Sequence, residues 1–195
     1  LERGFGLTLG NAIRRVLLSS LQGAAITSVK IKGVVHEFST IPGVKEDLTD
    51  ILLNLKSVAV KVHSPGLKKM YIKATGPGEI RAGNFETDSE TEIMNKDQLI
   101  MTLDSNADIE IEANIETGKG YVSAEIAEDE NKIIGEIKLD AMFSPVVKAT
   151  YKIENSRVGQ VTDYDKLIFE VETNGSGLLE VISAKACEGV MSKFV

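Results

Sequence analysis

The fold is decided by the stretch Leu1-Glu-Arg-Gly-Phe-Gly-Leu-Thr-Leu-Gly-Asn-Ala-Ile-Arg-Arg-Val-Leu-Leu-Ser-Ser-Leu21. From Thr8 onward its spacing predicts a helix with Thr8 as the N-cap, although Gly10 and Asn11 are weak helix formers. At about 100° per residue, one broad face of this helix collects apolar side chains, namely Leu9, Ala12, Ile13, Val16, Leu17 and Leu21. The sequence therefore predicts an amphipathic first helix.

The opposite face of this helix carries Asn11, Arg14, Arg15 and Leu18. One interpretation is a solvated flank with a single exposed leucine, which is common. The other is a docking face, because arginine beside an apolar anchor is typical of energetic centres in protein–protein contacts. The apolar face also has two destinations open to it, namely this chain's own sheet or a second copy of the chain. Periodicity does not decide either question.

The composition is that of an ordinary globular protein, with 195 residues, 43% hydrophobic and 26% charged. The formal net charge of -7 weighs against a general phosphate-binding surface, since nonspecific nucleic-acid binding is driven by cations. The single cysteine, Cys187, excludes an internal disulfide and is expected in a reducing compartment. No apolar run approaches the ~20 residues of a membrane helix. Because the chain opens at Leu1 in the middle of what looks like a motif, we expect it to be a fragment.

The sequence between this first helix and residue 57 predicts one pair of strands and one further helix. After a break at Gln22-Gly23, the strand pair surrounds Gly33, with alternation at Val29 to Lys32 and a continuation at Val34, Val35 and Phe38. The helix is predicted over 45–57, with Glu46 and Asp47 in its first turn and an apolar face made of Leu48, Ile51, Leu52 and Leu55.

The sequence after residue 57 predicts short strands from 58 to 139. Among these, the strand 109–115 alternates most clearly between apolar and polar side chains. Two longer strands are predicted over 147–153 and 166–173, with a turn at 162–165 between them. A final helix is predicted from 178 onward. This order predicts an α+β protein with helices on an antiparallel sheet. Residues 1–22 and 146–195 would form one discontinuous domain, and 23–145 a β-rich insertion domain.

No motif for catalysis, metal binding or cofactor binding is present. His36 and His63 are the only histidines, and neither has the neighbours of a zinc site or a catalytic triad. His36 is interpreted as a structural histidine within an apolar strand, and Cys187 as a small buried hydrophobe. The acidic run Glu128, Asp129 and Glu130 is first of all a solvated loop, with an interaction loop as the second interpretation. The sequence therefore indicates a binding or assembly protein. The alternative is a small-molecule enzyme or ligand-binding module with a pocket in the β-rich insertion.

Several blocks of the sequence resemble the N-terminal domain of the bacterial RNA polymerase alpha subunit. The opening is Glu2-Arg-Gly-Phe-Gly6 followed by Thr8-Leu-Gly-Asn-Ala-Ile-Arg-Arg-Val-Leu-Leu-Ser-Ser20. Further blocks, in the order of the family, are His36-Glu-Phe-Ser39, Val44-Lys-Glu-Asp47, Ile51-Leu-Leu-Asn-Leu-Lys56, Gly118-Lys-Gly-Tyr-Val122, Ser144-Pro-Val146, Arg157-Val-Gly-Gln160, Thr162-Asp-Tyr-Asp-Lys-Leu167 and Glu172-Thr-Asn-Gly175. The resemblance covers nearly the whole chain.

The resemblance implies a homodimeric assembly platform without an active site, metal or cofactor of its own. In this family two alpha chains dimerise through a domain containing the first and last helices, and one protomer binds the beta subunit while the other binds mainly beta-prime. It implies a bacterial cytoplasmic, nucleoid-associated protein whose segment here binds no DNA directly and no membrane. The family's chains also have an additional strand before Leu1, and a linker and DNA-binding domain after the part compared.

The resemblance also implies roles for individual residues. Arg15, Leu18 and Asp50 match beta-subunit contacts, and Lys56, Leu139 and Lys148 match beta-prime contacts. The face expected to build the dimer or the core consists of Leu9, Ile13, Val16, Leu17 and Leu21. Glu128, Asp129 and Glu130 lie where relatives carry an acidic loop that some transcription activators contact. The last helix diverges most from the family, so its individual dimer contacts are not transferred.

Overall fold

The structure is a computed structural model that describes residues 1–36, 38–124, 135–158 and 161–177. The chain divides into two compact units. Unit 1 combines Leu1–Gln22 with Ser144–Val195, and unit 2 is Gly23–Phe143. The second boundary lies two residues before the one expected from the sequence, so Ser144 and Pro145 belong to unit 1. The described residues are mostly β-strand with two α-helices, which agrees with the α+β class at that level of detail.

The described helices and strands follow in chain order, with one 3-10 turn at Ala82–Asn84. They are α1 (Phe5–Ser19), β1 (Gln22–Ile31), α2 (Leu48–Lys56), β2 (Val60–Val62), β3 (Lys68–Thr75), β4 (Gly78–Arg81), β5 (Glu86–Thr87), β6 (Thr91–Ile93), β7 (Leu99–Leu103), β8 (Asp108–Lys119), β9 (Tyr121–Val122), β10 (Glu136–Lys138), β11 (Ala141–Met142), β12 (Val146–Val158) and β13 (Val161–Thr173).

Unit 1 consists, among its described residues, of α1 packed on the antiparallel hairpin of β12 and β13. Its core joins the apolar face of the helix to the hairpin through Val16, Leu17, Leu21, Val146 and Ala149. The periodicity of the sequence thus identified the buried face of α1 correctly, with Leu17 only 3% exposed. Within this unit the apolar face packs on the chain's own sheet.

Helix α1 begins at Phe5, so the predicted start at Thr8 is wrong. The N-cap is Gly4, whose φ of 87° lies in the left-handed region that glycine adopts without strain. The carboxylate of Asp165 supplies the capping group instead, because it accepts hydrogen bonds from the backbone N–H groups of Gly4 (2.9 Å) and Gly6 (3.1 Å). A helix N-terminus that lacks a side-chain cap of its own is thereby satisfied from the neighbouring strand.

Glycines also set how closely α1 approaches the hairpin. A Cβ atom added at Gly10 would lie 2.7 Å from the ring of Tyr151, and one added at Gly6 would lie 2.9 Å from the Asp165 carboxylate. Both distances are too short for a real side chain, so the backbone of the helix itself contacts the strands. Gly10 weakens the helix in isolation but permits this contact.

Unit 2 is built around a five-stranded sheet with the strand order β10-β1-β8-β3-β5, accompanied by the two-stranded pairs β2–β6, β4–β7 and β9–β11. Along β8 the residues Ile109, Ile111, Ala113 and Ile115 are buried and alternate with more exposed polar residues, which confirms the prediction for 109–115. Helix α2 contributes Leu48, Ile51, Leu52 and Leu55 to the same core, again as its spacing predicted.

Other predicted elements of unit 2 need correction. The segment 34–38 forms no strand where the structure describes it, and Val35 and Phe38 are 66% and 82% exposed. Strand β1 starts already at Gln22, so Gln22-Gly23 is the beginning of a strand and not a break. Helix α2 is shorter than predicted because the Glu46 carboxylate lies outside it and accepts hydrogen bonds from the N–H and hydroxyl of Thr102.

The predicted turn at 162–165 is wrong as well. These residues belong to β13, where Asp165 pairs with Asn155 and Tyr164 with Ser156. Both strands of the hairpin are therefore longer than the sequence indicated, at 13 residues each. The predicted final helix from 178, with Cys187, lies outside the described residues.

Candidate functional site

Arg15 is exposed on a helix whose opposite face is fixed in the core of unit 1. Its neighbour Arg14 is also exposed, but the Arg14 side chain is held, since its Nε donates a 3.0 Å hydrogen bond to the carbonyl of Ala149. Arg14 thus ties α1 to β12, whereas the Arg15 side chain makes no such bond to any of the described residues. The helical wheel placed both arginines on one face. In the structure, the Arg14 side chain anchors the helix and Arg15 is exposed.

Leu18 departs from the predicted docking face. It is half-buried and packs against the core cluster of unit 1, alongside Leu9, Ala12 and Ile13. Leu18 is therefore less exposed than the helical wheel predicts, because part of it packs against the core of unit 1. Arg15 is left as the exposed member.

The N-terminal half of α1 carries unpaired apolar surface. Phe5 and Leu7 are each 55% exposed, and Leu9 and Ile13 are only half-buried although they belong to the predicted apolar face. Val16, Leu17 and Leu21 complete that face and are buried. The face therefore divides into a part that is used within unit 1 and a part that remains open among the described residues.

In unit 2, Asp50 lies on the exposed side of α2, one helical turn before Leu53. Leu53 is 55% exposed, while the opposite face of the helix is buried in the core. Residues three apart on a helix are neighbours on its surface. The structure thus leaves a carboxylate and a leucine exposed together on this side of α2.

Lys56 ends α2 and forms an ion pair with Asp140 at 3.0 Å, with about a third of each side chain exposed (32% and 35%). The other carboxylate oxygen of Asp140 accepts a 2.9 Å hydrogen bond from the N–H of Ala124. The hydrogen bond from Ala124, followed by those from Lys56 and Tyr121, holds the pKa of Asp140 below its usual value. The Lys56 ammonium is thereby fixed at a definite point of the surface.

Leu139 is placed differently from what the resemblance implies. It is 7% exposed and belongs to the core of unit 2, and its N–H donates to the carbonyl of Thr27. Its side chain therefore does not form part of an open contact surface, although it precedes Asp140 directly. Lys148 is exposed on β12 of unit 1, opposite Glu172 in the hairpin. Of the three predicted beta-prime residues, Lys56 and Leu139 lie in one neighbourhood of unit 2, and Lys148 belongs to unit 1.

Sequence reasoning missed two exposed side chains next to this ion pair. Tyr121 and Met142 face each other across the β9–β11 ladder and are 59% and 61% exposed. Aromatic and methionine side chains are enriched at protein interfaces. Each strand is only two residues long, so periodicity could not identify them.

The residues singled out in the sequence also include an acidic run and His36. Glu128, Asp129 and Glu130 lie outside the described residues. His36 lies in a bend and is exposed, with its Nδ1 3.2 Å from the Ser39 hydroxyl, which corrects its placement within an apolar strand. Within the described ranges no group of three or more His, Cys, Asp or Glu side chains is placed to hold a metal ion. No helix in the described part of the chain is long and apolar enough to cross a membrane.

The fixed charges and exposed apolar groups described above fit a module that binds other proteins. The chain belongs to the family described as the RNA polymerase Rpb3/RpoA insert domain, whose model matches residues 29–144, more than half of the chain. It is thus an RNA polymerase alpha-type subunit, which fits a non-catalytic part of a nucleotidyltransferase complex. The match includes Asp50, Lys56 and Leu139, whereas Arg15, Leu18 and Lys148 lie outside it.

Proposed function

We propose that this chain is an assembly platform of a DNA-directed RNA polymerase. Two copies pair through unit 1, and the dimer binds the beta and beta-prime subunits without contributing a catalytic residue or cofactor. The family match supports the polymerase part of this proposal. The observation that carries the docking part is Arg15, exposed on a helix that is anchored on its other side.

Arg15 is the proposed centre of the beta-subunit contact. A guanidinium presents five donors in a rigid plane and pairs with carboxylates in a bidentate manner, so it is the side chain most suited to a fixed interface. Burial of Val16 and Leu17 and the bond from Arg14 to Ala149 remove much of the freedom of the helix, which lowers the entropic cost of binding. Leu18 contributes only its exposed part, and Asp50 with Leu53 forms a second contact surface on unit 2.

Lys56 is the proposed centre of the beta-prime contact, together with Lys148 on unit 1. The ion pair with Asp140 orients the ammonium while a third of it remains accessible. Leu139 supports this surface from the core. Tyr121 and Met142 add apolar area next to it.

The open part of the α1 face is the proposed contact with the second copy. Phe5, Leu9 and Ile13 present apolar surface that a two-fold related copy can cover with its own matching surface. The negative net charge supports the further proposal that this segment does not bind DNA itself. A contact of Glu128, Asp129 and Glu130 with activators rests on the resemblance alone.

The test is the Arg15→Ala variant of the full-length chain, mixed with purified beta subunit. We expect beta binding to weaken by roughly tenfold or more, as for a central interface arginine, while the dimer and its thermal stability remain unchanged. Arg3→Ala is the matched control, since Arg3 is an exposed arginine of the same unit that, among the described residues, pairs with the exposed Asp163. A monomeric or unfolded Arg15→Ala protein would show that the residue serves the fold. Ligand-dependent stabilisation of the isolated chain, without capture of beta, would favour the small-molecule alternative.

A further inference from the structure

A cavity of about 230 Å³ lies on the face of the five-stranded sheet that points away from the core of unit 2. The side chains that line it come from four adjacent strands, namely Lys30 of β1, Lys69 of β3, Glu112 and Asn114 of β8, and Glu136 of β10. Their neighbours along the strands are buried in the core, so these five side chains project from the opposite face. None of the five was considered functional from the sequence.

Glu136 places a buried carboxylate in the wall of this cavity. Its side chain is only 7% exposed. One carboxylate oxygen, Oε1, accepts hydrogen bonds from the Ser28 hydroxyl and from Nδ2 of Asn114 at 3.0 Å, and it lies 3.8 Å from the Lys138 ammonium. The other oxygen, Oε2, has no hydrogen-bond partner among the described residues. Because an unpaired buried acceptor costs free energy, this oxygen favours a ligand that supplies a donor.

Asn114 contributes a second free acceptor to the same cavity. Its Nδ2 donates to the Ser28 hydroxyl oxygen at 2.9 Å and to Oε1 of Glu136 at 3.0 Å. These bonds fix the orientation of the amide, because the reverse orientation would place its oxygen against the Glu136 carboxylate. The amide oxygen, Oδ1, is buried and lacks a hydrogen-bond partner within the described ranges. Two neighbouring residues of one hydrogen-bond network therefore each leave an acceptor that a donor-rich group would satisfy.

The charged groups of the wall balance one another. Lys69 pairs with Glu112, and this hydrogen bond raises the pKa of the Lys69 ammonium. Lys30 lies directly across the β1–β10 ladder from Glu136, but its side chain forms no ion pair with any residue that the structure describes. Two lysines and two glutamates give the wall no net formal charge. A purely cationic ligand would thus be repelled by Lys30, and a purely anionic one by the free oxygen of Glu136.

We propose that this cavity binds a small zwitterion of the α-amino acid type, whose ammonium donates to Glu136 and Asn114 and whose carboxylate pairs with Lys30. Each unpaired group of the wall then gains a partner of opposite character, and the site remains neutral. All lining side chains are polar, which favours an amino acid with a polar side chain. Binding moves the flexible side chains of Lys30 and Lys69, which gives the ligand access to the two buried oxygens. This site is additional to subunit assembly and uses none of the residues assigned to it.

The first experiment measures thermal melting of the full-length chain with L-serine and, separately, with L-glutamine. We expect at least one of these amino acids to raise the melting temperature in a saturable manner, because a ligand that binds the folded chain stabilises it. Ethanolamine, which is serine without its carboxylate, and N-acetyl-L-serine, which has no ammonium, should raise it far less. A cavity that holds solvent alone would show no shift with either amino acid, and that result overturns the proposal. Equal shifts with ethanolamine or N-acetyl-L-serine would overturn it as well.

Variants then locate the binding site by isothermal titration calorimetry with the amino acid that shifts the melt. Glu136→Gln removes the negative charge at nearly constant size, and Lys30→Met removes the ammonium. Each should weaken binding by roughly tenfold or more, as for the loss of a charge-assisted hydrogen bond. Lys73→Met is the matched control, because Lys73 is an exposed lysine on the same strand as Lys69 that does not line the cavity.

Unchanged affinity in both Glu136→Gln and Lys30→Met would show that the amino acid binds elsewhere and that the assignment is wrong. If Glu136→Gln does not fold, Lys30→Met decides the question alone, since Lys30 is exposed. The ligand-bound chain and both variants should still capture the beta subunit. Retained capture distinguishes this site from the small-molecule alternative to assembly, and the two proposals can therefore fail independently.

Discussion

Unit 1 and unit 2 hold their elements together in different ways. Among the described residues, the core of unit 2 contains 26 buried hydrophobic residues, whereas that of unit 1 contains five. The stability of unit 2 therefore depends on a large hydrophobic core, to which many buried side chains contribute. In the described part of unit 1, one helix and one hairpin are held by a few close contacts, and apolar side chains such as Phe5 and Leu7 are exposed.

The difference indicates how the two units serve assembly. A unit with a large core presents its surface without help from a partner, as at the Lys56–Asp140 ion pair. A unit with exposed apolar surface gains stability when that surface is covered, because apolar area removed from water contributes roughly 25 cal/mol per Å². We therefore expect unit 1 to be stabilised by pairing with a second copy and unit 2 to be largely indifferent to it.

The largest effect is expected from Ile111→Ala in unit 2. Ile111 is fully buried, so the loss of its side chain should lower the free energy of unfolding by about 2–5 kcal/mol. Ile13→Ala in unit 1 is the matched comparison, since Ile13 is only half-buried and should cost less. Urea denaturation followed by circular dichroism measures both. Equal losses would remove the proposed contrast between the two cores.

The next effect is expected from Gly10→Val in unit 1. The new side chain would collide with the Tyr151 ring, and overpacking of this kind costs about 1–3 kcal/mol. Asn11→Val introduces the same residue at the adjacent exposed position and should cost less. Hydrogen exchange of the α1 amides reports the change, and sedimentation reports the dimer. A normal dimer with unchanged exchange in Gly10→Val would show that the close approach is not needed.

A smaller effect is expected from Asp165→Ala. This change removes the carboxylate that caps α1, and loss of a helix cap costs about 1 kcal/mol. Asp163→Ala is the control, because within the described ranges that carboxylate forms just an exposed ion pair with Arg3 at 3.3 Å. Faster hydrogen exchange at the start of α1 should appear in the first variant alone. The same rate in both variants would mean that Gly4 and Gly6 do not depend on Asp165.

The smallest effect concerns pH and unit 2. Hydrogen bonds from Ala124 and then Lys56 lower the pKa of Asp140 in the folded chain. Its stabilisation should therefore be fully present above the pKa of about 3.9 in the unfolded chain, and should be lost as the pH falls through the lower folded value. The ion pair is partly exposed, so we expect a difference of less than about 1 kcal/mol between the original chain and Asp140→Asn at neutral pH. Thermal melts that show a constant difference down to acidic pH would contradict this.

The sequence predicted those features that depend on periodicity. The buried faces of α1 and α2 and the alternation along β8 follow from spacing within one element, which local sequence contains. The same reasoning misjudged Gly10 as only a weak helix former, since the reason for a glycine there is Tyr151, about 140 residues further along. The cap of α1 was misassigned to Thr8 for the same reason, because Asp165 lies on another strand.

The candidate surfaces were less predictable than the fold. Arg15 and Asp50 are exposed as expected, but depth of packing decides that Leu18 is half-buried and Leu139 buried. The turn expected at 162–165 has turn-like composition, yet pairing with β12 along its whole length extends the strand through it. Tyr121 and Met142 become neighbours only through the register of β9 and β11. Each of these facts depends on a partner that is distant in sequence.

Tyr151 acts as a spacer between α1 and its hairpin. One side chain of β12 sets the height of the helix, because the helix backbone at Gly10 rests on its ring, and that ring is in turn supported by Phe169 with centroids 5.7 Å apart. We expect a smaller residue at position 151 to let α1 lie closer to the hairpin. The Arg15 guanidinium would move toward the hairpin with the helix. The distance to which the Arg15 guanidinium extends therefore depends on the Tyr151 ring, which would not itself contact the proposed partner.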